Sequence, residues 1–245
     1  MATEIQQTPF VKLLAANDRP TRDAAVFSLR TYLSGRRELP ANELLKLWKG
    51  LFYCMWMSDR PRTQASLADS LSSLVTVLPS SNVLPFLRAF WQTMLREWTN
   101  IDVLRMEKFL LLVRRYLGVT FRVMKESGWE EGLVKGHLEV LAEVPCNVED
   151  QRIPNGMRFH VVDIYVDELE KVGLLKSVGD GGEEGREEIL DKVLEPLRVL
   201  AKGSPTKPVR IKAKEALKDE RLPGNEKAEG VEEEKEGDGW GGFED

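Results

Sequence analysis

Cysteine and histidine are scarce in this chain of 245 residues. The only cysteines, Cys54 and Cys146, cannot build a disulfide framework, which favours an intracellular location. Cys54 lies in a strongly apolar stretch, where burial as a small hydrophobe is its expected fate. The only histidines, His137 and His160, leave little imidazole for acid–base or metal chemistry. No glycine-rich phosphate loop, nucleophile elbow or paired-cysteine metal pattern occurs. No apolar run approaches the ~18 residues that cross a bilayer, so no membrane role is expected. Met1 to Phe10 lacks the basic-then-apolar order of a secretory signal. Alternating, strand-like runs are scarce as well.

What is present is helical periodicity. Apolar residues recur at three- and four-residue spacing up to Val172, predicting helices over 8–16, 20–34, 42–57, 61–78, 83–98, 101–117, 129–143 and 157–172. Pro79, Gly128, Pro145 and the run Pro154-Asn155-Gly156 punctuate them. Asp18-Arg19-Pro20 and Asp59-Arg60-Pro61 lie 41 residues apart, and Asn100-Ile101-Asp102 follows at the same offset. Helix pairs repeating every ~40 to 47 residues mark HEAT and armadillo architectures. Such a pair cannot bury its apolar face alone, but stacked pairs can. The expected fold is therefore all-α, a HEAT/armadillo-like α-solenoid of antiparallel helix pairs.

The expected organisation is a helical-repeat domain over 1–173, then C-terminal helices or a basic arm over 174–222. Within the second part, Gly179 to Gly185 reads as a flexible acidic-glycine loop. Glu187 to Ala201 reads as an amphipathic helix kinked at Pro196, and Pro205 to Leu217 as a short basic helix or an extended arm. An acidic tail, 223–245, has too little apolar content to fold and is expected to be disordered. It holds nine acids and two bases, which leaves the rest of the chain at +2 against a total of −5.

Few side chains suggest a site. On a helix, His160, Asp163, Asp167 and Glu170 share one face, a set that could bind metal or move protons. The plainer reading, adopted here, is a solvated polar face opposite Phe159, Val162, Val166 and Leu169. The 86–122 region is the most basic structured stretch, with seven Arg or Lys against three acids. If its helix continues past Gly118, Arg105, Lys108, Arg115 and Arg122 fall on one side and could track a phosphate backbone. A second candidate RNA- or partner-binding cluster holds Lys207, Arg210, Lys212 and Lys214. The aromatic residues Trp48, Phe52, Trp56, Trp91 and Trp98 suit a packed core or a partner groove.

Specific strings narrow the reading further. Leu47 to Pro61 (LWKGLFYCMWMSDRP) resembles a signature of the ribosomal RNA-processing protein 1 family. So do Ala89-Phe90-Trp91-Gln92-Thr93-Met94 running on through Trp98, Arg105-Met106-Glu107-Lys108-Phe109, Gly128-Trp129, and Pro154-Asn155-Gly156-Met157-Arg158-Phe159-His160. The resemblance covers roughly 8–210 and excludes the acidic tail. It implies a nucleolar, hence nuclear, factor of pre-60S ribosomal particles that supports maturation of large-subunit precursor rRNA. Other large-subunit assembly factors and precursor rRNA are the implied partners, with no catalytic activity and no cofactor. A general HEAT-type adaptor outside ribosome assembly is the alternative.

Overall fold

A computed structural model describes residues 9–35, 38–175 and 185–225. Among them the chain forms helices and turns, with no strand. The helices are α1 (Pro9–Leu14), α2 (Arg19–Leu33), α3 (Ala41–Trp56), α4 (Pro61–Ser72), α5 (Ser80–Glu97), α6 (Val103–Glu126), α7 (Glu131–Glu143), α8 (Asn155–Lys171), α9 (Arg186–Gly203) and α10 (Lys207–Ala216). Short 3-10 turns extend α4 over Ser73–Val77 and α5 over Trp98–Asn100. Pro205 to Leu217 is thus a helix rather than an extended arm. The expected loop at 179–184 and the tail from 226 onward lie outside the described residues.

The repeat signal marks real helix starts, shifted by one residue. Helices α2, α4 and α6 begin at Arg19, Pro61 and Val103, 42 residues apart rather than 41. Asp18 and Asp102 are the caps, accepting from the amides of Thr21 and Arg105. Asn100, aligned with Asp18 by the sequence, sits in the 3-10 turn instead.

Helices pack in two series. In the first, α1, α3, α5, α7 and α9 contact one another in turn; in the second, α4, α6, α8 and α10 do so. Helix α2 joins the second series through the turn after α4, and α9 packs on α10. One continuous apolar core runs from Leu14 to Leu222 and includes Val193, Leu197, Leu200 and Val209 of the last two helices.

Aromatic rings fill the centre where α3, α5 and α6 meet. Trp48 lies 5.1 Å from Phe86, 4.9 Å from Phe90 and 5.0 Å from Tyr116, ring centre to ring centre. Phe52 stacks on Phe109 at 4.6 Å. Trp48, Phe52, Trp91 and Trp98 are buried and Trp56 is half-buried, so most of the aromatic set packs internally. Three buried rings find a partner for their polar tips, while Trp91 Nε1 has none among the described residues. Trp48 Nε1 donates to Phe86 O, Tyr116 Oη to Leu71 O and Tyr165 Oη to Val193 O.

Two glycines set close approaches. A Cβ at Gly118 would stand 2.6 Å from Glu168 Oε2, so this glycine makes room for a carboxylate where α6 meets α8. A Cβ at Gly156 would stand 3.3 Å from Trp98 Nε1, so Gly156 lets the start of α8 settle on that indole.

Removing the Trp48 ring should open a cavity that fully buried neighbours cannot fill. Trp48→Ala is expected to lower the unfolding free energy by about 3–5 kcal/mol, measured by urea denaturation. A loss below about 1 kcal/mol would mean that the ring is not central to the core.

Candidate functional site

Helix α6 carries half of the candidate basic residues, and it does run past Gly118, as far as Glu126. Its four-residue stripe nevertheless divides. Arg105 pairs with Asp102 and lays its guanidinium 4.7 Å above the Trp56 ring. Lys108 leaves the surface altogether, at 4 % exposure. Its Nζ donates to Trp56 O at 2.6 Å and to Ser58 O at 2.7 Å, at the C-terminal end of α3. The expectation that Lys108 faces a phosphate backbone is therefore corrected. The carbonyls that end α3 have no intrahelical donor, and this lysine supplies one. Burial, helped by the charge of Arg105, pushes its pKa down to about 8.

The other half of the stripe opens onto a groove of about 810 Å³ between α4, the turn after it, α6 and α8. Arg115, Arg122, Lys125 and Lys171 line it, together with the hydroxyls of Ser72, Ser73 and Thr76. Arg115 Nε meets Asp69 at 2.6 Å, Lys171 Nζ meets Glu168 at 2.6 Å, and Lys125 Nζ donates to Val172 O at 2.7 Å. Arg122 is exposed and forms no ion pair or hydrogen bond among the described residues. At the rim, Arg30 of α2 reaches Ser73 Oγ at 2.9 Å. The sequence singled out Arg115 and Arg122 but missed Lys125 and Lys171. Lys125 stands three residues beyond Arg122, a spacing that was available to read. Lys171 comes from another helix and has no sequence signal.

The second basic cluster splits too. Lys212 turns toward α8, pairing with Asp163 at 2.6 Å and standing 5.9 Å over Phe159. Arg210 donates to the carbonyls of Ser204 and Pro205. Only Lys207 and Lys214 of the four face solvent.

On the polar face of α8, Asp163 and Glu170 are exposed as expected, and its side chains also make bonds to neighbouring segments. His160 Nε2 lies 2.8 Å from Leu110 O, and burial pulls its pKa down. Asp167 meets both Arg114 and Arg221, and Glu170 meets Arg221. The buried carboxylate of Glu168 meets Arg114 and Lys171 at 2.6 Å each. This face is the seam joining α6, α8 and the segment after α10. His137 is buried with Nδ1 2.8 Å from Leu133 O, and burial lowers its pKa. Burial raises the thiols of Cys54 and Cys146 to about 12 each. No group of three or more His, Cys, Asp or Glu among the described residues could hold a metal ion. No helix among them is long and apolar enough to cross a membrane.

Comparison with known proteins places this geometry in a family. A family model described as nucleolar protein, Nop52, matches residues 5–240. The chain belongs to the Nop52 family. It is 44 % identical over 179 residues to ribosomal RNA processing protein 1 homolog B of Homo sapiens, covering 70 % of this chain and 23 % of that protein. It is 42 % identical over 189 residues to the human homolog A, covering 74 % and 41 % of the two chains. The Drosophila melanogaster homolog is 33 % identical over 177 residues, covering 68 % and 25 %. The chain thus spans 23 % to 41 % of the length of these relatives. The family resemblance read from the Trp-rich strings holds. Within those strings, Trp48, Trp91, Trp98 and Arg158 are internal, so packing explains much of what makes the strings recognisable.

Lys108 offers a pH-dependent test of its buried role. Between about 8 and 10.5 the unfolded chain binds more proton at Lys108 than the folded chain does. The pH-dependent part of its contribution to stability is therefore fully present above 10.5 and is lost as pH falls through 8, while its hydrogen bonds remain. Lys108→Met should lower stability by about 1–3 kcal/mol at neutral pH, because Trp56 O loses its donor and Ser58 O keeps only Gln64 Nε2. The wild-type-minus-variant difference should then grow as pH rises toward about 10. Urea denaturation of both proteins across that range checks this, and a difference that shrinks with rising pH would contradict the burial of a charged lysine.

Proposed function

We propose that the chain is a non-catalytic scaffold of nucleolar pre-60S particles that supports maturation of large-subunit precursor rRNA. Its helical body, 9–173, is a HEAT-like α-solenoid of antiparallel pairs, and 185–222 are helices that close its end. Residues 223–245 form a separate acidic segment. Family membership supports the setting, since relatives carry the name ribosomal RNA processing protein 1. The two helix series support the solenoid, as do bonds that recur between residues about one unit apart. Leu39 to Asn82, Tyr116 to Leu71 and Lys125 to Val172 span 43, 45 and 47 positions.

The observation that carries the binding role is the groove on α6. Cations from α6 and α8 line one depression, and Arg122 stands there without a partner among the described residues. Arg115 and Lys171 already hold acids, so an incoming phosphate exchanges one anion for another there and gains most at Arg122. Arg105 and the exposed lysines of α10 flank the body as further charged contacts. Other assembly factors bind the helical surfaces.

Sedimentation tests the setting: the tagged protein should travel with pre-60S particles and concentrate in the nucleolus. A stable protein absent from those particles would return the chain to a general adaptor. Cross-linking to RNA tests the groove, with adducts expected at α6 around Arg115 to Lys125. Arg122→Ala should weaken RNA binding and reduce the slope of log affinity against log salt by about 1, with melting unchanged. An unchanged slope would remove the groove as the phosphate contact. His160→Ala should leave rRNA maturation intact once the variant is shown to fold and enter its particle; failure of processing alone would overturn the non-catalytic reading.

A further inference from the structure

Helix α10 presents a face to solvent that neither series covers. Lys207, Ile211, Lys214 and Lys218 recur at offsets of four, three and four, which places them along one side of the helix and its final turn. All four are exposed, and Ile211 stands 45 % exposed among the lysines. None of the three lysines has an ion pair among the described residues. Arg210 and Lys212 of the same helix are turned away and already bonded. Glu215 is the exposed acid on the adjoining strip. An exposed isoleucine within a lysine row fits a segment carrying both carboxylates and apolar side chains better than it fits bare phosphates.

Such a segment begins one residue beyond the described chain. Asn225 Nδ2 donates to Leu217 O at 2.7 Å and to Asp219 O at 3.2 Å, which pins the chain beside the C-terminal end of α10. Residues 226–245 hold nine acids against two bases, with Val231, Trp240 and Phe243. The lysine row is ~16 Å long at ~1.5 Å per residue, so about five extended residues could retrace it. A covalently attached segment also acts at an effective concentration of about a millimolar or more. We infer that the α10 face of Lys207, Ile211, Lys214 and Lys218 is the docking surface for this chain's own acidic segment 226–245. The inference does not rest on the ribosomal reading.

The test uses the full chain. A water-soluble carbodiimide joins a lysine amine to a carboxylate in direct contact with it. Monomeric protein should give links from Lys207, Lys214 or Lys218 to Glu229 through Asp238, mapped by mass spectrometry. Those links should fade at ~0.5 M salt, where exposed charge pairs are screened. Ile211→Asp keeps every lysine and sits at the surface, so it should fold while cutting the links several-fold. Neutralising the acids of 226–245 with Glu→Gln and Asp→Asn should raise acetylation of Lys214 about threefold, as expected for release of a weakly held tether. Exposed Lys49, on α3, should not change. Links found only in covalent dimers, links running to Lys125 or Lys171 instead, or an unchanged acetylation rate at Lys214 would each overturn the inference.

Discussion

An α-helix ends in backbone carbonyls that have no donor within the helix, and a body built of short helices buries many such ends. Leaving one buried and unpaired costs about 1–3 kcal/mol. Here buried cations serve several of them. Arg22 donates to Ala16 O and Asn17 O after α1, and to Met57 O after α3. Lys108 donates to Trp56 O and Ser58 O at the same end of α3. Arg158 holds the long connection between α7 and α8 through the carbonyls of Asn147, Asp150 and Ile153. Arg22 and Lys108 also sit at the negative end of the α3 dipole, which favours them there. Position after position, a cation of one helix fixes where another segment stops, and so fixes how successive helices meet.

The same arrangement sets the groove on α6 apart from the rest of the second helix series. Most charged side chains on the second helix series are held by partners: Arg114 by Asp167 and Glu168, Lys212 by Asp163, Arg221 by three carboxylates. These bonds lock α6, α8 and the segment after α10 together. Partial exposure makes each surface pair worth little alone, but Glu168 is buried and depends on its two cations. Gly118 belongs to this lock, since any side chain there would displace the carboxylate. The groove borders the lock and shares Glu168 and Lys171 with it. Occupation of the groove by an anion would therefore be felt at the α6–α8 contact.

The apolar strings have a comparable double meaning. Leu47 to Met57 is apolar on nearly all sides because α3 meets α1, α5 and α6 at once. Tyr53 remains 40 % exposed and Trp56 is covered in part by Arg105. At the start of α6, Val103 and Leu104 stand almost fully exposed, Leu104 in register with the outer positions Leu111 and Arg115. They precede the first turn that packs, where the cap at Asp102 sets the helix direction and not burial.

The sequence by itself determined the helical class, most helix boundaries, the 42-residue recurrence to within one residue and the family. These follow from local rules: apolar spacing, caps and prolines act within a few residues. Only the tertiary structure decided which basic residues are internal. Arg105, Lys108, Arg115 and Arg122 look alike along α6, yet one covers an indole, one is buried under α3, one holds an acid and one has no partner among the described residues. A lysine's fate depends on whether a neighbouring helix ends beside it, and that neighbour lies about fifty residues away in sequence. Lys171 joins the groove, and Asp163 takes Lys212, for the same reason. Periodicity reports which face a residue occupies on its own helix; only packing reports what stands opposite.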